Sequence, residues 1–342
     1  MSIAPKLFRI FVPIALMASV AYTAVTAPDG DERSLTSTDY LFHSTSGDGF
    51  TENWSYQFVF TNGMKAWVNF SRANIPTKGL KTGVDLTLHN FHGKKKAVAR
   101  EYPKERFKQD AANQTLSIKS GKSLFHMKGL PKKGHEVLFS TDKGKGYFLD
   151  MKFINAIPGK VPGNGTWKLN GKEKATYQQF IHIPYGQVEG RIAYGEDTIS
   201  VKGYAYMDHI VSTKMSTETT NDAAIFSSPS ASIAGRLGTA TKDFGRGHFG
   251  YAIEFKDGES HVLRPAKVSI QKKTLTTEWD NLETYIFTSS SHKLCYSPLD
   301  NIDGNFARWA AKKILGGKVV LCGGQATSEK GPIDYLRFVV KD

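Results

Sequence analysis

Seven residues near the middle of the chain, Gly203-Tyr204-Ala205-Tyr206-Met207-Asp208-His209, bring together two phenols, a carboxylate and an imidazole. Residues two apart on a strand face the same way, so Tyr206 and Asp208 share one face and His209 points to the other unless the strand ends there. If the shared face is apolar and closed to water, the ionised carboxylate is desolvated and its pKa rises. Asp208 then keeps a proton that it can give to a poor base such as an alkene carbon. A tyrosine ring beside it, that of Tyr206, stabilises a developing cation by about 2 kcal/mol once water is excluded. Two other roles suit the same residues: a structural corner in which the carboxylate accepts backbone N–H bonds, and a ligand contact without chemistry. A buried carboxylate lacking such partners is expensive, which gives the structural role weight.

The other reactive side chains form no comparable set. His89, His92, His126 and His135 lie in one region, but no HxH or HxxxH spacing beside a carboxylate supports a metal, and none is expected. Ser227-Ser228-Pro229-Ser230 and Ser289-Ser290-Ser291 lack the Gly-x-Ser-x-Gly elbow and read as loops. Gly245-Arg246-Gly247 has no strand–loop–helix context for phosphate.

The elements that must position Tyr206 and Asp208 are strands. The chain reads as short runs alternating apolar and polar residues, each closed by Gly, Asn, Asp or Pro. Val84–His89, Thr115–Ile118, Gln187–Tyr194, Thr198–Val201, His248–Phe255, Val268–Ile270 and Asp334–Val340 are examples. Such runs need sheets with one buried face, as in antiparallel barrels and sandwiches. A strand ending at Pro184-Tyr185-Gly186, a hairpin at Gly195-Glu196-Asp197 and a strand ending at His209 carry the reactive block. Trp54, Tyr56, Phe58, Phe60, Trp67 and Phe70 alternate as the core of one barrel wall; in a barrel with a cavity, core-facing and ligand-facing residues are the same. One helix is expected, Asn305 to Leu315, stopped by Gly316-Gly317. Between Val211 and Ala224 the apolar pattern lapses, and the main boundary is placed there, giving a β-domain over residues 28–212 and another over 213–342.

The block around Gly203-Tyr204-Ala205-Tyr206-Met207-Asp208-His209 and the strand Asn53-Trp54-Ser55-Tyr56-Gln57-Phe58-Val59-Phe60-Thr61-Asn62-Gly63 resemble signatures of the carotenoid 1,2-hydratase-like (AttH-like) tandem lipocalin family. The resemblance implies an all-β chain of two tandem lipocalin-like antiparallel β-barrels, with a hydrophobic ligand held in or between them. It also implies cofactor-free addition of water to an isolated double bond. Tyr206 and Asp208 match the family's Tyr-x-Asp pair and His209 its neighbouring histidine. Phe180 and His182 lie near where the family has an upstream histidine and tryptophan, and no tryptophan stands there in this chain. With Tyr204, Trp54 and Tyr56 they form the expected ligand-binding set. Where the family motif continues into Asn-Trp-Gly, this chain has Ile210-Val211-Ser212.

The 342 residues suit two domains of ordinary size. Hydrophobic residues at 40% exclude wholesale disorder. A net charge of +13 invites a nucleic-acid reading, but the basic residues are spread along the chain rather than gathered on one arm, so nucleic acid is not expected as a partner. An anionic membrane surface or an acidic ligand suits that charge better. Lys6 and Arg9 followed by the apolar run Ile10–Val25 make residues 1–27 an export signal. Val25 and Ala27 form a cleavage pair, yet Pro28 follows directly, so an uncleaved anchor stands beside a removed signal. Cys295 and Cys322, alone in the chain, suit a disulfide in an oxidising compartment. Asn53, Asn69, Asn113 and Asn164 each open a glycosylation sequon. Three functions follow: an exported carrier of a lipid or isoprenoid, a cofactor-independent hydratase, isomerase or cyclase, and a structural surface protein.

Overall fold

A computed structural model describes residues 25–43, 47–75, 78–141, 146–270, 274–281, 284–289, 294–297 and 318–341. The expected helix Asn305–Leu315 and almost all of the N-terminal signal lie outside the described residues. Every alternating run cited above falls within a strand. Among the described residues the α-helices are single turns, Ser37–Tyr40 and Ser216–Thr219.

Two antiparallel sheets follow one another along the chain, as the alternating pattern predicts. The first runs from Lys94–Pro103 through Gly79–Phe91, Lys65–Ile75 and Thr51–Phe60 to Asp197–Ser212 and Lys174–Tyr194, and on through Tyr147–Ile157 to Phe107–Asp110. It curls back on itself: Tyr147 Oη donates to the Ala97 carbonyl at 2.8 Å, and the rings of Trp54 and Phe107 lie 5.7 Å apart. Its interior is filled by Trp54, Tyr56, Phe58, Phe60, Phe70, Phe125 and Phe139 among others. The second sheet starts at Thr220–Ser228 and ends at Gly331–Lys341, with its own core around Phe226, Leu237, Trp279 and Ile333.

A third core holds the sheets together. Phe180, Tyr206 and Ile210 of the first sheet pack with Phe249, Tyr251 and Ile253 of the second. Trp67 belongs to this contact and not, as the alternation suggested, to the wall inside the first barrel. It faces outward and clusters with Leu336 of the second sheet, and Gly323 makes room for it, since a Cβ there would meet the indole at 2.5 Å. Polar ties reinforce the junction. Asp334 accepts from both Lys65 and Tyr204, and Tyr251 Oη donates to the Lys160 carbonyl at 2.9 Å.

The hairpin carrying Tyr206 and Asp208 turns at Gly195, whose φ of +67° suits glycine. Its strands are longer than expected. Lys174–Tyr194 does not stop at Pro184-Tyr185-Gly186 but shifts register between Ile181 and Gly186, and Asp197–Ser212 continues past His209. Proline cannot donate to a ladder, so the chain bulges there instead of ending.

Cys295 and Cys322 are bonded directly across neighbouring strands. Closing a loop of 27 positions stabilises by about 3 kcal/mol in the chain-entropy model. Replacing both cysteines with serine is therefore expected to lower the free energy of urea unfolding by about that amount, seen as a lower urea midpoint. A midpoint unchanged by reductant would refute it.

Candidate functional site

Between the two sheets lies a cavity of about 440 Å³, within the range of small-molecule sites. Its floor is the outer face of the first sheet. On Thr51–Phe60 the even-numbered residues from Trp54 to Phe60 turn into the barrel, so Asn53, Ser55 and Gln57 turn outward to the cavity. Asn69 and Ser71 join them from Lys65–Ile75, and Asp85 from Gly79–Phe91. The second sheet supplies an apolar roof of Ile225, Phe249, Val319, Leu321, Leu336 and Phe338, interrupted by Arg236. One wall is polar and the other greasy.

Tyr206 lines this cavity and Asp208 stands just behind it, fully buried. The Tyr206 hydroxyl donates to Asp208 Oδ2 at 2.9 Å, and Arg236 Nη1 reaches the same oxygen at 3.4 Å from the second sheet. Oδ1 is buried without a hydrogen-bond partner. Burial pushes the Asp208 carboxyl above its ordinary pKa, against the opposing pull of Arg236 and Tyr206. Burial likewise raises Tyr206 well above the usual phenol value, and the Asp208 charge adds to it.

Along the floor, Asp208 pairs with Ser55, Ser55 with Asn69, and Asn69 with Asp85, one row across four strands. Ser55 Oγ donates to Asn69 Oδ1 at 3.1 Å, and Asn69 Nδ2 donates to Asp85 Oδ2 at 3.2 Å. Burial raises the Asp85 carboxyl to about 6, offset in part by Asn69. In the next row Tyr206 pairs with Gln57, which is 3% exposed and whose amide oxygen and nitrogen both lack partners.

His209 points to the opposite face, into the barrel, as alternation requires. There it stacks on Trp54 with centroids 4.3 Å apart, and its Nδ1 lies 2.9 Å from the Asp39 carbonyl oxygen. Its Nε2 lies 3.1 Å from Glu52 Oε1, which also accepts the His43 backbone N–H at 2.8 Å, while Arg72 donates to Oε2 at 2.7 Å. Burial alone would raise the Glu52 pKa; hydrogen bonds from His209 and His43 and the Arg72 charge outweigh it and hold it at about 2. His43, Glu52 and His209 each offer a ligand atom within 4.8 Å of the others. With Arg72 on one oxygen and a backbone amide on the other, this carboxylate is already satisfied as an ion-pair centre.

The expected ligand-binding residues divide. Tyr56 is the one that borders the cavity, though its hydroxyl points inward and donates to His135 Nε2 at 2.9 Å. Trp54 is locked in the barrel core, its indole donating to the Tyr40 carbonyl at 2.9 Å. Phe180 stacks on His43, and His182 is buried 5.2 Å from the Tyr40 ring. Tyr204 clamps the second sheet through Asp334. Gln57, Asp85, Arg236 and Glu52 carry no sequence signature. Asn53 and Asn69 read as sequons and instead face the cavity.

No protein-family profile matches the chain, and no curated protein matches it in sequence. Solved structures do. An AttH-like protein from Nitrosomonas europaea superposes with a TM-score of 0.57 at 13% identity, covering 92% of this chain and 100% of that one. CghA with Sch210972 superposes with a TM-score of 0.53 at 10% identity, covering 86% and 88%. The chain has their fold. Two lipocalin-like sheets in tandem are therefore established from the backbone, and the chemistry rests on this chain's own residues.

Proposed function

We propose that the cavity between the sheets binds an apolar, unsaturated small molecule and that Asp208, acting through Tyr206, protonates it. The observation that carries this reading is the placement of Tyr206, which lines the cavity while its hydroxyl rests on a buried carboxylate of raised pKa. When Asp208 is protonated, its O–H donates to Tyr206 Oη and frees the phenol O–H for the cavity. The phenol proton passes to an alkene carbon as the Asp208 proton replaces it. A carboxylate is left beside Arg236, and a carbocation is left facing the Tyr206 ring. Water then adds to the cation and the proton returns through Tyr206 to Asp208, giving an alcohol. Loss of a neighbouring proton through Tyr206 to Asp208 gives an isomer instead; attack by a second double bond closes a ring and moves the cation onto it, and loss of a proton by the same route then gives the neutral cyclic product. None of these outcomes consumes an oxidant or a reductant. A fold relative, CghA, is known with a small molecule, Sch210972, which supports a ligand in such an architecture by analogy.

The carrier reading shares the cavity and drops the chemistry. Native mass spectrometry of protein purified from its source is expected to reveal a bound apolar molecule released by organic extraction. Incubation with that molecule is expected to change its mass by one water or to yield an isomer. Binding without conversion would leave a carrier, and no apolar ligand from any extract would sink both readings. The charged-then-apolar N-terminus and the disulfide support a place outside the cytosol, which cell fractionation tests.

A further inference from the structure

An apolar guest alone does not explain the floor of the cavity. Gln57 is almost fully buried, yet neither its amide oxygen nor its nitrogen meets a partner within the protein. A buried polar group left unpaired costs roughly 1–3 kcal/mol, so a glutamine kept there points to a partner that arrives from the cavity. Asp85 lines the same floor two strands further on. Asn69 orients its carboxyl, and Ser55 orients Asn69. Both side chains lie on the polar wall, opposite Val319, Leu321 and Leu336.

We propose that the ligand is an amphiphile with a neutral head group, a hydroxyl or a primary amide, that both donates and accepts hydrogen bonds, seated between Gln57 and Asp85. This inference rests on the reading of the cavity as the binding site and adds the polarity and length of what it takes. The Gln57 amide offers two N–H donors and an acceptor oxygen to such a group, and Asp85 a further acceptor. A carboxylate head would sit beside the Asp85 carboxyl on a poorly hydrated wall, where like charges repel and burial already opposes ionisation. Tyr206 lies one strand from Gln57 and three from Asp85. At ~4.8 Å per strand, the double bond at Tyr206 and the head group are on the order of 10 Å apart. The reaction that supplies this ligand must therefore leave one polar terminus on an otherwise apolar chain.

The test uses the full chain and three probes. Fluorescence of 1,6-diphenylhexatriene, which has no head group, reports occupation of the cavity. Its displacement by farnesol and by farnesene, which differ in the hydroxyl, reports head-group recognition. The wild-type protein is expected to prefer farnesol about tenfold or more, the discrimination that a buried polar pair gives. Gln57→Leu is expected to erase most of that preference and to leave the Tm unchanged or higher, since it removes an unpaired buried amide. Asp85→Asn, nearly the same shape, is expected to reduce the preference in part. A wild-type preference that survives Gln57→Leu, or a Tm that falls while the preference holds, would make the amide structural or water-bound and overturn the proposal. Equal affinity of the wild type for farnesol and farnesene would overturn it and leave the cavity as a binding site. Failure to bind diphenylhexatriene or either competitor would overturn the cavity reading as well.

Discussion

Replacing Glu52 with alanine is expected to destabilise the protein by about 3–5 kcal/mol, the usual cost of stripping one partner from a buried ion-pair network. The side chain is fully buried, and its removal leaves Arg72 and the His43 backbone amide without their acceptor and His209 without its carboxylate. The loss carries a pH signature. Glu52 has a folded pKa of about 2 against an ordinary 4.5, so folding favours the ionised form. Its contribution is fully present above pH 4.5 and disappears as the pH falls through 2. It amounts to about 3 kcal/mol from the pKa difference. Urea unfolding of the wild type should weaken over that window, and Glu52→Gln should flatten the slope. Parallel acid unfolding of the two proteins would show that Glu52 is not the group responsible.

The same network bears on the site. Glu52 pairs with Val211 and Trp54 with His209, so it fastens Thr51–Phe60 to Asp197–Ser212. A slip of one residue between those strands would turn Tyr206 and Asp208 into the barrel and His209 out of it. The ion pair inside thus fixes which side chains reach the cavity outside.

Much of this was legible in the residues because alternation reports faces. The strands, the hairpin at Gly195, the common face of Tyr206 and Asp208 and the opposite face of His209 all follow from a period of two. Alternation does not report what covers a face. Asn53, Ser55 and Gln57 read as a wet outer surface, yet the second sheet roofs them over. Trp67 read as barrel core because it is large and apolar, whereas its position in the pleat sends it outward to Leu336. Arg236 and Asp85 come from strands far from the Tyr-x-Asp block in sequence, and only the packing of sheet on sheet brings them to it. Glu52 sits between Thr51 and Asn53 in a segment with nothing to mark it as ionic core. Contacts of this range are set by tertiary packing, which no local pattern encodes.

Asp208→Asn is expected to lower turnover of the recovered ligand by about 10²–10⁴-fold, the range for loss of a positioned acid. An amide keeps the shape and can still accept from Tyr206, but it has no acidic proton to pass on. Tyr206→Phe is expected to match it, because the phenol is the only member of the pair at the cavity. The double variant should be no worse than either single one, since groups acting in series fail together. In the carrier reading all three proteins bind alike and none converts the ligand. The pH profile separates acid chemistry from damaged packing. Activity needs protonated Asp208, so it falls as pH rises through a pKa that burial holds above the ordinary carboxylate value. The Arg236 charge opposes that rise, so Arg236→Met is expected to move the falling limb to higher pH. A limb that stays where it is in Arg236→Met, or moves to lower pH, would take the proton away from Asp208.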